Sequence, residues 1–323
     1  MKRTLWGTLG LVAIAMVMAP LCHAASFPRS GRPIMLNVPW AAGGSGDITA
    51  RVIAAGLSKE LGVPVQVENK GGAGSQIGLT EFVRTRPDGH SIALTSLPPT
   101  ITTYLDPQRK AVYSRKDFQP IALTVVDPTV VAVRTASPFK TLKDFLDASR
   151  ANPGAVKVAT GGIMADGHLG TLMLQKAADV KYAVITFDKG VTPAVTAIMG
   201  GHADAIILPL GSFTSLIKGN ELRVLGIMDK QESKFAPGVK TVEAQGYAKV
   251  VMGSSRGFCA PAGTPKEVVD VLSAAIKRVL DRDEVKSKMD EMWLDQRYLD
   301  AAGFSAYWGE QEEMLKPLIA LSR

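Results

Sequence analysis

Cysteine, histidine and aromatic residues are scarce in this chain of 323 residues. It contains two cysteines, Cys22 and Cys259, four histidines and 6% aromatic residues. Cys22 falls in the leader predicted below, so the mature chain keeps one cysteine and forms no internal disulfide. The histidines beyond the leader, His90, His168 and His202, are spread along the chain without metal-ligand spacing. We therefore expect no disulfide framework and no bound metal.

Motifs of catalysis and nucleotide binding are missing as well. No P-loop sequence occurs, and the run of residues 72–78 misses the G-x-G-x-x-G spacing by one residue. Ser45 lies in Gly-Ser-Gly-Asp, which is not the G-x-S-x-G turn of hydrolases. The formal net charge is +7, but the lysines and arginines are scattered, which argues against nucleic-acid binding. We predict no catalytic residue and no cofactor.

Apolar runs of membrane length are also lacking. Residues 5–19 are apolar and follow Lys2 and Arg3, but they are too few to span a bilayer. Small residues at the end of this stretch are typical of a signal peptidase site. We predict that residues 1–24 are a signal peptide cleaved after Ala24 and that the mature chain is soluble. An uncleaved anchor helix is the alternative.

A glycine-rich turn over residues 40–47 joins an apolar strand, residues 34–39, to a helix. Glycines at such a junction let a ligand approach the backbone closely. The first N–H groups of the helix carry partial positive charge, which favours a carboxylate or a phosphate. The turn is therefore a candidate anion site. Asp47 could equally cap its own helix, and the glycines could form only a tight connection.

Short apolar strands alternate with helices along the chain, which predicts an α/β fold with a mostly parallel sheet and helices on both faces. A second glycine turn, residues 69–75, follows the strand of residues 63–68, and residues 90–95 form the next strand. Such loops lie at the carboxyl edge of the sheet, where open α/β folds bind ligands.

The second half of the chain repeats this organisation. Residues 156–159 form a predicted strand, and the loop of residues 160–168 leads into a helix, so two loops could close on one ligand. A hydrophobic content of 46% supports a large core, and the length suits two domains better than one. Capping boxes are predicted at residues 141–144 and, with proline at the first helical position, at residues 264–267.

The sequence resembles the periplasmic solute receptors of tripartite tricarboxylate transporters, often called Bug proteins. The resemblance covers essentially the whole mature chain. It is carried by short motifs in a fixed order at residues 39–47 with Arg51, 67–74, 87–89, 116–118, 187–190, 200–204 and 260–265.

The resemblance implies two α/β lobes of the type II periplasmic-binding architecture, with the ligand cleft between them and two crossing strands as the hinge. Residues 26–126 and 251–323 would form the first lobe, and residues 127–250 the second. The implied first-lobe contacts are Ala42, Gly43, Gly44, Ser45, Asp47, Gly74, Ser75, Thr95 and Ser96. The implied second-lobe contacts are Thr160, Gly161 and the helix start near His168, and Asp188 lies in a further family motif.

The chain departs from the family at three places. Many relatives carry hydroxyl side chains in the second-lobe loop, where this chain has Met164, Ala165 and Asp166. Asp166 would repel a ligand carboxylate but could accept from a ligand N–H or O–H. Arg256 falls where the chain crosses between lobes, and its guanidinium could bind a carboxylate or satisfy an acidic side chain of the protein. Residues 108–113 form a longer and more basic loop.

These observations predict a receptor rather than an enzyme. Its expected partners are a small organic acid and the large and small membrane subunits of a permease, and we expect a monomer in the periplasm. The alternatives are an exported α/β enzyme acting on a carboxylate and a receptor that signals to a sensor kinase. The sequence does not identify the acid.

Overall fold

The computed structural model describes residues 27–40, 42–43, 45–187 and 191–321. The predicted signal peptide lies outside these residues. The strands are β1 (Ile34–Val38), β2 (Val65–Asn69), β3 (Ser91–Leu97), β4 (Phe118–Arg134), β5 (Lys157–Gly161), β6 (Ala183–Phe187), β7 (Ala205–Pro209), β8 (Leu222–Ile227), β9 (Gly253–Pro261) and β10 (Gln296–Leu299). The helices are α1 (Ser45–Leu61), α2 (Gln76–Phe82), α3 (Pro99–Leu105), α4 (Leu142–Ala151), α5 (Asp166–Ala178), α6 (Val191–Met199), α7 (Thr214–Lys218), α8 (Lys266–Leu280), α9 (Asp283–Glu291) and α10 (Ala301–Leu321).

The strands form a continuous curled sheet in the order β2-β1-β3-β9-β4-β7-β5-β6, with β8 and β10 also paired to β4. The outer strands are parallel. In the first half β1 pairs in parallel with β2 and β3, and in the second half β5 pairs in parallel with β6 and β7. The inner strands β4 and β9 pair antiparallel with each other and with their other neighbours. The predicted α/β fold is confirmed.

Strand β4 runs through both halves of this sheet. Its first part pairs with β9 as far as Pro128 opposite Gly253, and from Thr129 onward it pairs with β7. The first half therefore contains β1, β2, β3, β9 and β10, and the second contains β5, β6, β7 and β8. The pairing of β4 changes close to the proposed boundary between lobes, which itself stays a prediction.

Helices cover both faces of the sheet, as the sequence predicts. Because side chains alternate along a strand, Val131 and Val133 of β4 face one hydrophobic cluster while Val130 and Ala132 face another. The first cluster is shared by both halves and includes side chains of α2, α3, α4, α5 and α10. The opposite face is covered by α1 and α8 in the first half and by α6 in the second.

The two predicted capping boxes have different outcomes. At α4 the box is confirmed, since the Thr141 hydroxyl accepts from the Asp144 amide and the Asp144 carboxylate accepts from the Thr141 amide. At α8 the prediction is wrong: the helix begins at Lys266 with Pro265 as its N-cap. The Thr264 hydroxyl instead donates to the Pro261 carbonyl at 2.8 Å, which closes the preceding turn.

The segment between α9 and β10 packs against the second half of the sheet. Trp293 belongs to the hydrophobic cluster of that half. Arg297 donates to the buried Asp229, which follows β8, at 2.7 Å. These contacts connect the C-terminal part of the chain to the second half. Within the described ranges, none of the helices combines the length and hydrophobicity of a transmembrane segment.

Candidate functional site

The first glycine turn is fixed by the Asp47 carboxylate. One oxygen accepts from the Gly43 amide at 2.9 Å and from Arg51 Nε at 3.0 Å, and the other accepts from Asn69 Nδ2 at 2.9 Å. The hydrogen bond from Arg51 is the largest contribution that lowers the pKa of Asp47 to about 2. Asp47 is buried and has these three donors around it, so its carboxylate shapes the turn.

The other predicted residues of this turn lie beside Asp47. Ala42 and Gly43 are exposed, and Ser45 is the first residue of α1. Gly43 has a φ of +85°, a conformation that favours glycine. Gly44 lies outside the described residues. The turn therefore presents backbone to solvent at the start of a 17-residue helix.

The second glycine turn is left-handed over three consecutive residues. Ala73, Gly74 and Ser75 have φ values of 47°, 64° and 83°. Non-glycine residues rarely adopt this conformation, and such strain is concentrated at functional sites. Arg109, from the basic loop, donates through Nη1 to the Ala73 carbonyl at 3.0 Å, and Gln76 Nε2 donates to the Arg109 carbonyl at 2.9 Å. The basic loop thus covers this turn and brings a guanidinium beside it.

Thr95 and Ser96 lie where β3 meets β9. Thr95 pairs with Gly257 and Ser96 with Arg256, and the Thr95 hydroxyl donates to the Gly257 carbonyl at 3.2 Å. Thr95 is fully buried. Its hydroxyl therefore joins the strands, and the carboxyl end of β3 is placed directly beside Arg256.

The loop from β5 to α5 supplies the predicted second-half residues. Met164 has a φ of +64°, and its amide donates to His168 Nδ1 at 3.3 Å. Burial lowers the pKa of His168, which favours the neutral imidazole that accepts this bond. Thr160 is fully buried at the end of β5. His168 thus holds the loop that carries Asp166 in place. Asp188 lies outside the described residues.

A cavity of about 360 Å³ lies at the junction of the two halves. Gly161, Asp166 and Arg256 all line it. The sequence analysis named these three residues as ligand contacts, and the structure places them around one cavity. The other polar or loop residues around the cavity include Asp127, Gly162, Gly211, Ser212 and Ser254, and Met292 and Leu294 add an apolar wall. Among the described residues, neither glycine turn of the first half lines this cavity.

Three charged side chains dominate the cavity. Arg256 on β9 and Asp127 on β4 are buried, with 6% and 3% of their surfaces exposed, and Asp166 begins α5. Burial raises the pKa of Asp127 to about 7, against the opposing effects of the Arg256 guanidinium and of the Gly211 amide. The Gly211 amide donates to Asp127 Oδ1 at 3.0 Å. Burial also raises the pKa of Asp166 and lowers that of Arg256.

Asp127 was missed by the sequence analysis. The sequence nevertheless contained a clue to its role, because Asp127 is an acidic residue within the apolar run of residues 125–134. An aspartate in a buried strand needs a partner, since an isolated buried charge is costly. Met292 and Leu294 had no such signal, because only the packing of their segment brings them to the cavity.

Two halves of an α/β sheet joined by β4, with a polar cavity at the junction, are typical of solute-binding receptors. Residues 49–322 match the family described as tripartite tricarboxylate transporter family receptor. The chain is 30% identical over 275 residues to the protein BugT of Bordetella pertussis, covering 85% of this chain and 83% of that protein. It is 31% identical over 268 residues to a protein encoded between tcbD and tcbE in Pseudomonas sp. strain P51, covering 83% of this chain and 79% of that protein.

A ligand-free TctC solute-binding protein from Polaromonas has a similar structure. Its TM-score is 0.82 at 28% identity, with 91% of this chain and 99% of that one covered. This protein therefore belongs to the tripartite tricarboxylate transporter receptor family, also represented by the Bug proteins. The predicted family is confirmed, and the family and fold are those of solute-binding receptors. Within the described residues no group of histidine, cysteine, aspartate and glutamate could hold a metal ion.

Proposed function

We propose that this protein captures a small carboxylate between two lobes in the periplasm and delivers it to a tripartite tricarboxylate-type membrane permease. The lobes are residues 26–126 with 251–323, and residues 127–250. The signal peptide is removed near Ala24, and the mature receptor is a monomer that meets the large and small permease subunits in its liganded form.

The cavity at the junction of the sheet halves is the observation that carries this proposal. Its volume of about 360 Å³ is at the lower end of the range for small-molecule sites. Its walls come from both halves, because Gly161 ends β5 and Asp166 begins α5, while Ser254 and Arg256 lie on β9. A ligand held there contacts both halves at once, so it can favour a closed arrangement by binding that arrangement more tightly.

Exposed apolar side chains at the carboxyl ends of the parallel strands support closure. Ile48 and Ile77 lie in the first turns of α1 and α2, after β1 and β2. Ile163 lies in the loop between β5 and α5, and Val191 begins α6 after β6; Ile163 is 58% exposed. Large exposed apolar residues placed at ligand-binding edges are typical of surfaces that become covered. Closure of the two lobes would cover these side chains.

A thermal-shift screen of organic acids tests capture. An acid present at about 100 times its dissociation constant should stabilise the protein by about 2.7 kcal/mol. Mass spectrometry of protein isolated from its native periplasm should recover an acid unchanged, whereas slow conversion of the acid would support the alternative enzyme. Absence of any shift and of any bound acid would contradict the receptor function.

Uptake of the identified acid tests delivery. Cells that lack the receptor should lose uptake of the labelled acid and regain it with the wild-type chain. Undiminished uptake, together with an acid-dependent change in gene expression, would instead favour a receptor that signals to a sensor kinase.

A further inference from the structure

A second cavity lies at the junction of the two halves, on the other face of the sheet from the candidate site. Val126 and Asp127 are consecutive on β4, and Val126 lines this second cavity while Asp127 lines the candidate site. Because consecutive residues of a strand point to opposite faces, the sheet separates the two cavities. We call the second one the rear cavity; it is bounded by β4, residues 228–230, residues 249–253, β10 and α10.

The rear cavity is large enough for a small molecule and has an apolar interior. Its volume is about 390 Å³, within the range of small-molecule sites. Met228, Met252 and Met314 line it, together with Val126 and Leu299. Methionine side chains adapt their shape to irregular apolar partners and are common at binding surfaces. The interior therefore suits the apolar part of a ligand.

A buried amide lies among these apolar side chains. Tyr307, Gln311 and Met314 line the cavity from α10 at the i, i+4, i+7 spacing of one helical face. Gln311 is only 6% exposed, and within the described ranges its side-chain amide has no hydrogen-bond partner. The Tyr307 hydroxyl, in contrast, is 2.6 Å from Ser255 Oγ. Because a buried polar group without a partner is costly, a ligand that forms a hydrogen bond with the Gln311 amide would remove that cost.

The charges around the rear cavity favour an anionic group. Arg297 is paired with Asp229 at 2.7 Å, and the Lys230 ammonium lies 3.9 Å from the Glu310 carboxylate. Lys249 also lines the cavity, and none of the ion pairs among the described residues involves it. These three cations and two carboxylates have a formal net charge of +1. An anion is therefore attracted to the rear cavity and a cation is not.

We propose that the rear cavity is a second binding site, which takes a small monocarboxylate with an apolar chain. The chain packs on the three methionines, and the carboxylate accepts a hydrogen bond from the Gln311 amide and is attracted by Lys249. This site is separate from the candidate site and does not depend on the proposed function. Its ligand contacts residues 228–230 and 249–253, where the chain leaves β8 and enters β9.

Saturated monocarboxylates of increasing length test the ligand class. Calorimetric titration of the mature protein with butyrate, hexanoate and octanoate should show an affinity that rises about fourfold for each added methylene. Octylammonium and 1-octanol should bind at least about tenfold more weakly than octanoate. An affinity that does not depend on chain length would overturn the inference. Binding of octanol or octylammonium as tight as that of octanoate would overturn it as well.

The Gln311→Leu variant tests the buried amide. It should weaken octanoate binding about tenfold without lowering the free energy of unfolding, because leucine removes a polar group that has no partner in the fold. Gln245→Leu is the contrasting control, since Gln245 Nε2 donates to the carbonyls of Leu225 and Lys240. That variant should lose stability and keep its affinity. A purely structural Gln311 would lose stability and leave octanoate binding unchanged, which would overturn the inference.

The Lys249→Gln variant tests the cation at the rear cavity. Octanoate affinity should fall about threefold or more, and Lys181→Gln should leave it unchanged. Lys181 is also exposed and lines neither cavity, so it controls for the loss of one charge. Octanoate binding that Gln311→Leu and Lys249→Gln leave unaltered would place the acid elsewhere and overturn the inference. The proposed function would stand in that case, since neither residue lines the candidate site.

Discussion

The indole of Trp293 stacks on the ring of Phe235, with their centroids 5.7 Å apart and their planes 12° from parallel. The Lys218 ammonium lies over the Trp293 ring, 5.5 Å from its centroid. Trp293 follows α9, and its neighbours Met292 and Leu294 line the cavity. The stack therefore fixes one wall of the candidate site to the second half of the sheet.

Replacing Trp293 with alanine should lower the free energy of unfolding by about 3 to 5 kcal/mol, because a buried aromatic ring and its stack are lost. Ligand affinity should fall as well, since the wall formed by Met292 and Leu294 loses its anchor. Urea unfolding and calorimetric titration measure the two effects. The Trp293→Phe variant keeps a stacked ring, so its stability and its ligand affinity should fall much less. Unchanged stability of the alanine variant would contradict the packing described here.

Substitution of Gly43 with alanine should weaken ligand binding about tenfold or more. Its φ of +85° disfavours an alanine, so the turn, which we expect to contact the ligand through its backbone, would shift. Gly62→Ala is a matched control, because Gly62 has a φ of +67°, and an added Cβ meets nothing within 4 Å at either glycine. Both variants should lose similar stability. Equal affinity in both, measured by titration, would remove the first turn from the site.

Asp47→Asn should reduce stability by about 2 kcal/mol near neutral pH and by much less in acid. The pKa of Asp47 is lowered from 3.8 to about 2, so its stabilising contribution is fully present above about pH 4 and is lost as the pH falls toward 2. Urea unfolding of both proteins at about pH 7 and about pH 2.5 measures the difference. A difference in stability between the two proteins that is the same at both pH values would contradict the hydrogen bonds of an ionised Asp47.

Asp127 should give the opposite pH dependence. Burial raises its pKa from 3.8 to about 7, so the folded chain holds a proton that the unfolded chain releases near pH 4. Stability contributed by this group therefore falls as the pH rises from about 4 to 7. Arg256 opposes this shift, and Asp166 and Asp295 reinforce it.

The Asp127→Asn variant isolates that effect. Its stability relative to wild type should rise between about pH 5 and pH 8, because asparagine cannot ionise. Chemical unfolding at both values tests this, with Asp179→Asn as the control for a charge change at the surface. A constant difference across the range would show that Asp127 is ionised throughout.

Ile163→Ser should weaken ligand binding about fivefold without lowering the stability of the unliganded protein. The side chain is 58% exposed, so it contributes little to the unliganded fold. Burial on closure would contribute about 1 kcal/mol. Val271→Ser on α8, 38% exposed, is the control and should leave affinity unchanged. Equal affinity in both variants would show that Ile163 stays exposed in the liganded protein.

Several strands and the starts of a few helices could be predicted from the local sequence. Periodicity identified the strands, and the Thr141 capping box was confirmed because its hydrogen bonds join residues three apart. The same rule failed at Thr264, because the helix begins at Lys266 with Pro265 as its N-cap, so Thr264 lies one residue too early to cap it. The capping sequence thus predicted the helix but not the residue at which it begins.

The sequence by itself determined the family, the α/β class and the glycine turns, because these depend on local spacing and on backbone conformations that favour glycine. Only the tertiary structure decided how the charges are used. It placed Asp127 on the strand beside Arg256 and gave the Asp47 carboxylate to Asn69 and Arg51. The contacts of Asp127 with β9 and of Asp47 with Asn69 join residues far apart in the chain, and strand register, which the sequence does not specify locally, brings them together.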